Sequence, residues 1–149
     1  MKNHNIYTDV FTVTELRSLK LASFHSLYTT RIYNTFTLQQ IQILKMFNID
    51  NCSYIEEWSQ NPALIPVPTE HYDKDEELYD KSGELVFPLA SCIIYIDIED
   101  LQGSSLVLCD CGTEILPKSN MIVRLDPGVL HKVTTHISGK RLSLNWNLW

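Results

Sequence analysis

The sequence predicts a mainly β fold with helices at its N-terminal end, the strands forming an antiparallel sandwich or barrel. Three observations predict it. Two capping boxes open helical patterns early in the chain. After Pro62 the chain breaks into short apolar runs separated by turn residues. No helical pattern intervenes between those runs, which disfavours a parallel α/β sheet.

In chain order, Thr12-Val-Thr-Glu15 is the first box, ahead of Leu16, Leu19 and Phe24. Thr12 would cap the helix and Glu15 would reach back to it. Thr37-Leu-Gln-Gln40 repeats the pattern before Ile41, Leu44 and Phe47. Ser53-Tyr-Ile-Glu56 is expected to open a third, short helix ending before Pro62. Beyond it the apolar runs are Leu85–Phe87, Ser91–Ile98, Ser105–Cys109, Glu114–Leu116, Met121–Leu125, Leu130–Thr134 and Arg141–Trp146. Breaks fall at Ser82-Gly83, Gln102-Gly103, Gly112, Pro117, Asp126-Pro127-Gly128 and Ser138-Gly139.

The 149 residues, 44% hydrophobic and 20% charged, are expected to form one folded domain. Residues 1–64 read as mainly helical support, and 65–149 as the β core carrying the site. No apolar run approaches the roughly 20 residues of a membrane span. The N-terminus lacks a basic region followed by an apolar stretch, so no leader is expected. The four cysteines need no disulfide framework in a chain this rich in core residues, and the expected location is cytoplasmic. A net charge of −6 argues against nucleic acid as a partner. Seven acids lie between Glu70 and Glu84. Most are read as a solvated loop, with Asp73 the exception.

Glu70-His71-Tyr72-Asp73 lies where the strands begin. In extended chain, residues i and i+2 point the same way, so His71 and Asp73 can aim at one point. Downstream, Pro127-Gly-Val-Leu-His131 puts a second histidine at the start of a strand. Two histidines and a carboxylate are the facial ligand set of non-haem Fe(II). Ten residues past His131 lies Arg141, with Ser143 on the same side of a strand. The planar guanidinium fork suits bidentate capture of a carboxylate, and the hydroxyl adds a third bond. Lys140 becomes the anchor if the register slips by one. His136 is read as a loop or strand residue and not a ligand, although it competes with His131 for the third position.

The segment His71–Trp146 resembles the 2-oxoglutarate- and Fe(II)-dependent dioxygenases, in particular their prolyl-hydroxylase-like branch. His71-Tyr-Asp73 matches the H-x-D pair. Ser91-Cys-Ile-Ile-Tyr95-Ile matches a tyrosine-bearing strand. Gln102-Gly103-Ser-Ser-Leu106 stands where the family has G-G-x-L, with Ser104 replacing the second glycine. Pro117-Lys-Ser-Asn120 precedes an apolar strand, Leu130-His131 carries the distal histidine, and Gly139-Lys-Arg141-Leu-Ser143 carries the basic anchor.

The resemblance implies a double-stranded β-helix, or jelly-roll. It implies a hydroxylase in which His71, Asp73 and His131 hold Fe(II). Arg141, Tyr95 and Ser143 would bind 2-oxoglutarate, with O2 as co-reactant. The substrate expected is a small molecule or an amino-acid side chain, a peptidyl proline among them. Ile93, Val123 and Leu144 are candidate pocket walls, with ordinary core packing their expected role. Pro127–His131 also resembles a cupin motif, so a cupin-like metalloprotein or a non-catalytic jelly-roll binding module is the alternative.

Overall fold

In the computed structural model, which describes residues 4–66 and 68–149, nine strands and three helices follow one another in chain order. The first three residues of the segment read for a leader lie outside that description. Strand β1 is His4–Thr8, followed by helix α1 (Val13–His25), β2 (Arg31–Tyr33), α2 (Leu38–Met46) and β3 (Ile55–Gln60). Then come α3 (Glu76–Ser82), β4 (Ala90–Gly103), β5 (Leu106–Leu108) and β6 (Thr113–Ile115). The chain ends with β7 (Met121–Leu125), β8 (His131–Val133) and β9 (His136–Leu148). No described helix is long and apolar enough to cross a membrane.

Both predicted capping boxes are present. Thr12 accepts from Glu15 N, and Thr37 from Gln40 N, while each glutamyl or glutaminyl side chain accepts from its cap residue's N–H. Two backbone donors are thereby satisfied at each helix start.

All strand pairings are antiparallel. A six-stranded sheet runs β1-β7-β4-β9-β3-β2 and a three-stranded sheet runs β6-β5-β8. An isolated bridge joins His71 to His131 at the edge of the smaller sheet. This is a jelly-roll of two facing sheets with helices outside, as expected.

Strand alternation sorts the side chains into two cores. Cys92, Ile94 and Ile96 of β4, with Leu144, Trp146 and Leu148 of β9, pack against Leu19 of α1 and Ile43 and Leu44 of α2. On the other face, Ile93 and Tyr95 of β4, with Met121, Val123 and Leu125 of β7, meet Leu106, Leu108 and Ile115 of the smaller sheet.

Four expectations need correction. The segment 53–61 is not a helix: Ile55–Gln60 pairs with β9, from Ile55↔Leu148 to Gln60↔Ser143. That pairing buries Ile55, Glu57 and Ser59 on the helix side, and tertiary contact overrides the local cap pattern. The first 64 residues are therefore not mainly helical support, because they add β1, β2 and β3 to the larger sheet. Part of the acidic segment is helix α3, not loop, capped by Asp75 at its start and by Gly83, in the left-handed region, at its end. The run Leu85–Phe87 forms no strand.

The turn from β4 to β5 is tight. Gly103 has φ 75°, and a Cβ there would lie 2.0 Å from the Thr135 carbonyl oxygen. Ser104, where the family pattern has a second glycine, follows at φ 55°. Its Oγ bonds to His136 Nδ1 at 3.0 Å.

Candidate metal centre and anion pocket

The backbone of His71 joins that of His131 through a pair of hydrogen bonds. His71 N donates to His131 O at 2.9 Å, and His131 N donates to His71 O at 3.0 Å. The bridge sets the two imidazoles side by side, ring centroids 4.4 Å apart. Asp73, two residues on, reaches the same point. Its Oδ1 lies 3.6 Å from His71 Nε2 and its Oδ2 lies 3.8 Å from His131 Nε2. The ligand atoms of all three residues fall within 4.8 Å of one another, and they are the one such cluster found among the described residues.

Both imidazoles are oriented from behind. His71 Nδ1 lies 2.6 Å from Thr69 O, and His131 Nδ1 lies 2.9 Å from Val129 O. A carbonyl oxygen only accepts, so each Nδ1 carries a proton and each Nε2 faces Asp73. Two atoms each bound to one ion at about 2.1 Å lie no more than about 4.2 Å apart, and both carboxylate–imidazole distances fall inside that limit. The nitrogen and oxygen donor set suits a first-row divalent ion.

The charges agree with this at Asp73 and His131, while His71 leans to its protonated form. Burial alone would raise the Asp73 carboxyl, but the hydrogen bond with His71 and the charge of His131 outweigh it and hold the group below the usual carboxylate range. The hydrogen bond to Asp73 raises His71. Desolvation lowers His131, which favours its neutral, ligating form.

A pocket extends from this cluster between the sheets. Ile93, Leu106 and Val133 form apolar wall, and Arg141 lies in its lining with His71, Asp73 and His131. Arg141 is 1% exposed. Its Nη1 donates to Gln60 Oε1 at 3.1 Å, while Nε and Nη2 are buried without partners. Tyr95 Oη and Ser143 Oγ are also buried and unpartnered. Tyr95 and Ser143 are direct partners in the β4–β9 register, and the Arg141 guanidinium sits 5.3 Å from the Tyr95 ring centroid. Neither Tyr95 nor Ser143 lines the cavity; both lie fully buried beside its basic end.

Among the described residues no ion pair involves Arg141. A buried guanidinium with bare donors costs several kcal/mol unless an anion meets it. Four orphaned donors in one neighbourhood therefore fit a carboxylate, and Nε with Nη2 present one edge of the fork to it.

The alternative residues lie elsewhere. Lys140 is at the surface with Nζ 2.6 Å from Asp97 Oδ2. His136 is held by Ser104, apart from the ligand cluster. Of the candidate walls Ile93 reaches the cavity, and the other two pack in the cores as expected. Val123 packs between the sheets and Leu144 packs on the helix side.

The sequence reading passed over Gln60, Trp58, Ser91, Asn145 and Asn147, all in the cavity lining. A signal existed on β9. Arg141, Ser143, Asn145 and Asn147 alternate with Leu142, Leu144, Trp146 and Leu148, so one face of a buried strand is polar. A polar face inside a sandwich marks a wet or ligand-filled space.

No protein-family model matches the chain, and no curated protein sequence matches it. Solved structures do. The 2-oxoglutarate complex of a viral collagen prolyl hydroxylase from Paramecium Bursaria Chlorella virus-1 is similar at 15% identity and TM-score 0.64, covering 97% of this chain and 94% of that one. A Pseudomonas putida prolyl-4-hydroxylase is similar at 14% identity and TM-score 0.67, over 98% of this chain and 84% of that one. HygX from Streptomyces hygroscopicus, with nickel and 2-oxoglutarate bound, is similar at 14% identity and TM-score 0.52, over 97% and 81%. The chain has the jelly-roll fold of these prolyl hydroxylases and related 2-oxoglutarate-binding proteins.

Proposed function

We propose that this chain is a 2-oxoglutarate- and Fe(II)-dependent dioxygenase that hydroxylates a C–H bond of a small molecule or an amino-acid side chain, with release of succinate and CO2. One observation carries the reading. The His71–Asp73–His131 cluster shares a cavity with Arg141, a buried cation with two bare donors.

In this reading His71, Asp73 and His131 hold the metal. Arg141 binds the far carboxylate of 2-oxoglutarate, with Tyr95 and Ser143 beside it. Bound iron and keto acid supply the oxidising chemistry, in which O2, 2-oxoglutarate and R–H give succinate, CO2 and R–OH. The chain's own residues orient and insulate. Thr69 and Val129 carbonyls fix the imidazole tautomers. Asp73 stays ionised, supplying the one negative ligand. Ile93, Leu106 and Val133 keep apolar wall around the reacting centre. The prolyl hydroxylases among the similar structures support a peptidyl proline as the first substrate to try. The net charge of −6 favours a small or peptidyl substrate over nucleic acid.

Anaerobic titration with Fe(II) and then 2-oxoglutarate tests the reading. A weak visible charge-transfer band that needs both additions is the expected result. Metal binding without the band would favour a cupin-like site, and no metal binding would reject the ligand set.

A further inference from the structure

The amide of Gln60 holds Arg141 from the side away from β4. Gln60 is the last residue of β3 and lies directly opposite Ser143 in the β3–β9 register, which makes Arg141 its diagonal neighbour. Its Oε1 accepts from Arg141 Nη1 at 3.1 Å. Gln60 also borders the open groove formed with residues 26–30, 64–66 and 68, so it stands between that groove and the cavity.

A guanidinium has two useful edges for a carboxylate, one through both terminal nitrogens and one through Nε with Nη2. Gln60 engages Nη1 and crowds the first edge. The second edge, Nε with Nη2, is the one left buried and unpartnered. A neutral acceptor orients the fork without cancelling its charge. A carboxylate at the same place would pair with Arg141 and cancel the charge that draws an anionic ligand.

Resting on the 2-oxoglutarate reading, we infer that Gln60 is a positioning residue that selects the Nε–Nη2 edge of Arg141 for the ligand's distal carboxylate. Gln60 thereby sets the preference for dicarboxylate over monocarboxylate 2-oxo acids.

The test is calorimetric titration of the Co(II)-loaded full chain with 2-oxoglutarate and, separately, with pyruvate, which lacks the distal carboxylate. Co(II) affinity and thermal midpoint are measured alongside. In Gln60→Glu, 2-oxoglutarate affinity should fall by about 30-fold or more, while pyruvate and Co(II) affinity stay unchanged. In Gln60→Met, which removes the acceptor at similar volume, 2-oxoglutarate affinity should fall about 3–10-fold with pyruvate again unchanged. Unchanged preference for 2-oxoglutarate in a folded Gln60→Glu protein overturns the inference. If that variant fails to fold, Gln60→Met decides by the same criterion. If the unaltered chain itself shows no preference for 2-oxoglutarate over pyruvate, the underlying reading fails and the inference falls with it.

Discussion

Asp73 and His131 are 58 positions apart in sequence, yet Asp73 Oδ2 stands 3.8 Å from His131 Nε2. Local structure around neither residue dictates that approach. The reciprocal backbone pair between His71 and His131 does, by pinning the H-x-D segment to the edge of the smaller sheet. A divalent ion bound by all three side chains would clamp this junction. We expect Co(II) at about 100 times its Kd to add about 2.7 kcal/mol to unfolding, and chelator to reverse it. Amide hydrogen exchange at His71 and His131 should slow in parallel. An unchanged melt with Co(II) would count against a metal at this cluster.

Asp73→Ala removes the negative ligand. Two neutral imidazoles remain, and metal affinity should fall below detection by calorimetry. Retained affinity would move the site away from Asp73.

Arg141→Ala should weaken 2-oxoglutarate binding by about 2–4 kcal/mol and leave Co(II) affinity intact. Lys140→Ala should leave both unchanged, because Lys140 pairs with Asp97 at the surface. Equal losses in the two variants would refute Arg141 as the anchor.

On the opposite face of the sheet, Glu57 is 1% exposed and takes hydrogen bonds from Tyr33 Oη at 3.0 Å and Trp146 Nε1 at 2.8 Å. Burial, followed by the charge of Glu57 and the hydrogen bond to it, pushes the Tyr33 phenol from 10.0 up to about 12. A folded-state value above the unfolded one stabilises at pH below 10, and that gain is lost as pH rises toward about 12. Tyr33→Phe should cost about 1–3 kcal/mol at neutral pH by leaving a buried carboxylate oxygen unpaired. Denaturant titrations of both proteins should converge above pH 10. A pH-independent difference would contradict the coupling.

The legible parts of this fold were those with local causes. Thr12 and Thr37 announce their helices because a cap and its partner lie three residues apart. Met121–Leu125 reads as a strand because its apolar run ends in turn residues on both sides. His71 and Asp73 were legible as a pair because residues two apart in extended chain point the same way. What escaped reading depends on distant partners. Ser53–Glu56 carries a helix-start pattern, yet Ile55 pairs with Leu148, far along the chain. His4–Thr8 becomes a strand only by pairing with β7. Gln60 looks like any polar residue until Arg141, 81 positions later, comes to rest beside it. Asn145 and Asn147 were hidden among apolar neighbours, although their alternation with Leu144, Trp146 and Leu148 marks a polar face.

The strand carrying Arg141 is the last in sequence and sits inside the larger sheet, with β4 on one side and β3 on the other. Until it emerges from the ribosome, β1, β7 and β4 cannot join β3 and β2, and two strand edges stand open. Such edges invite pairing with other chains. Long-range closure of this kind also makes for slow folding, on the order of milliseconds to seconds. Closure of the larger sheet, and with it the anion anchor, thus waits for the last-made of these strands, and a chaperone's shielding would matter most until then.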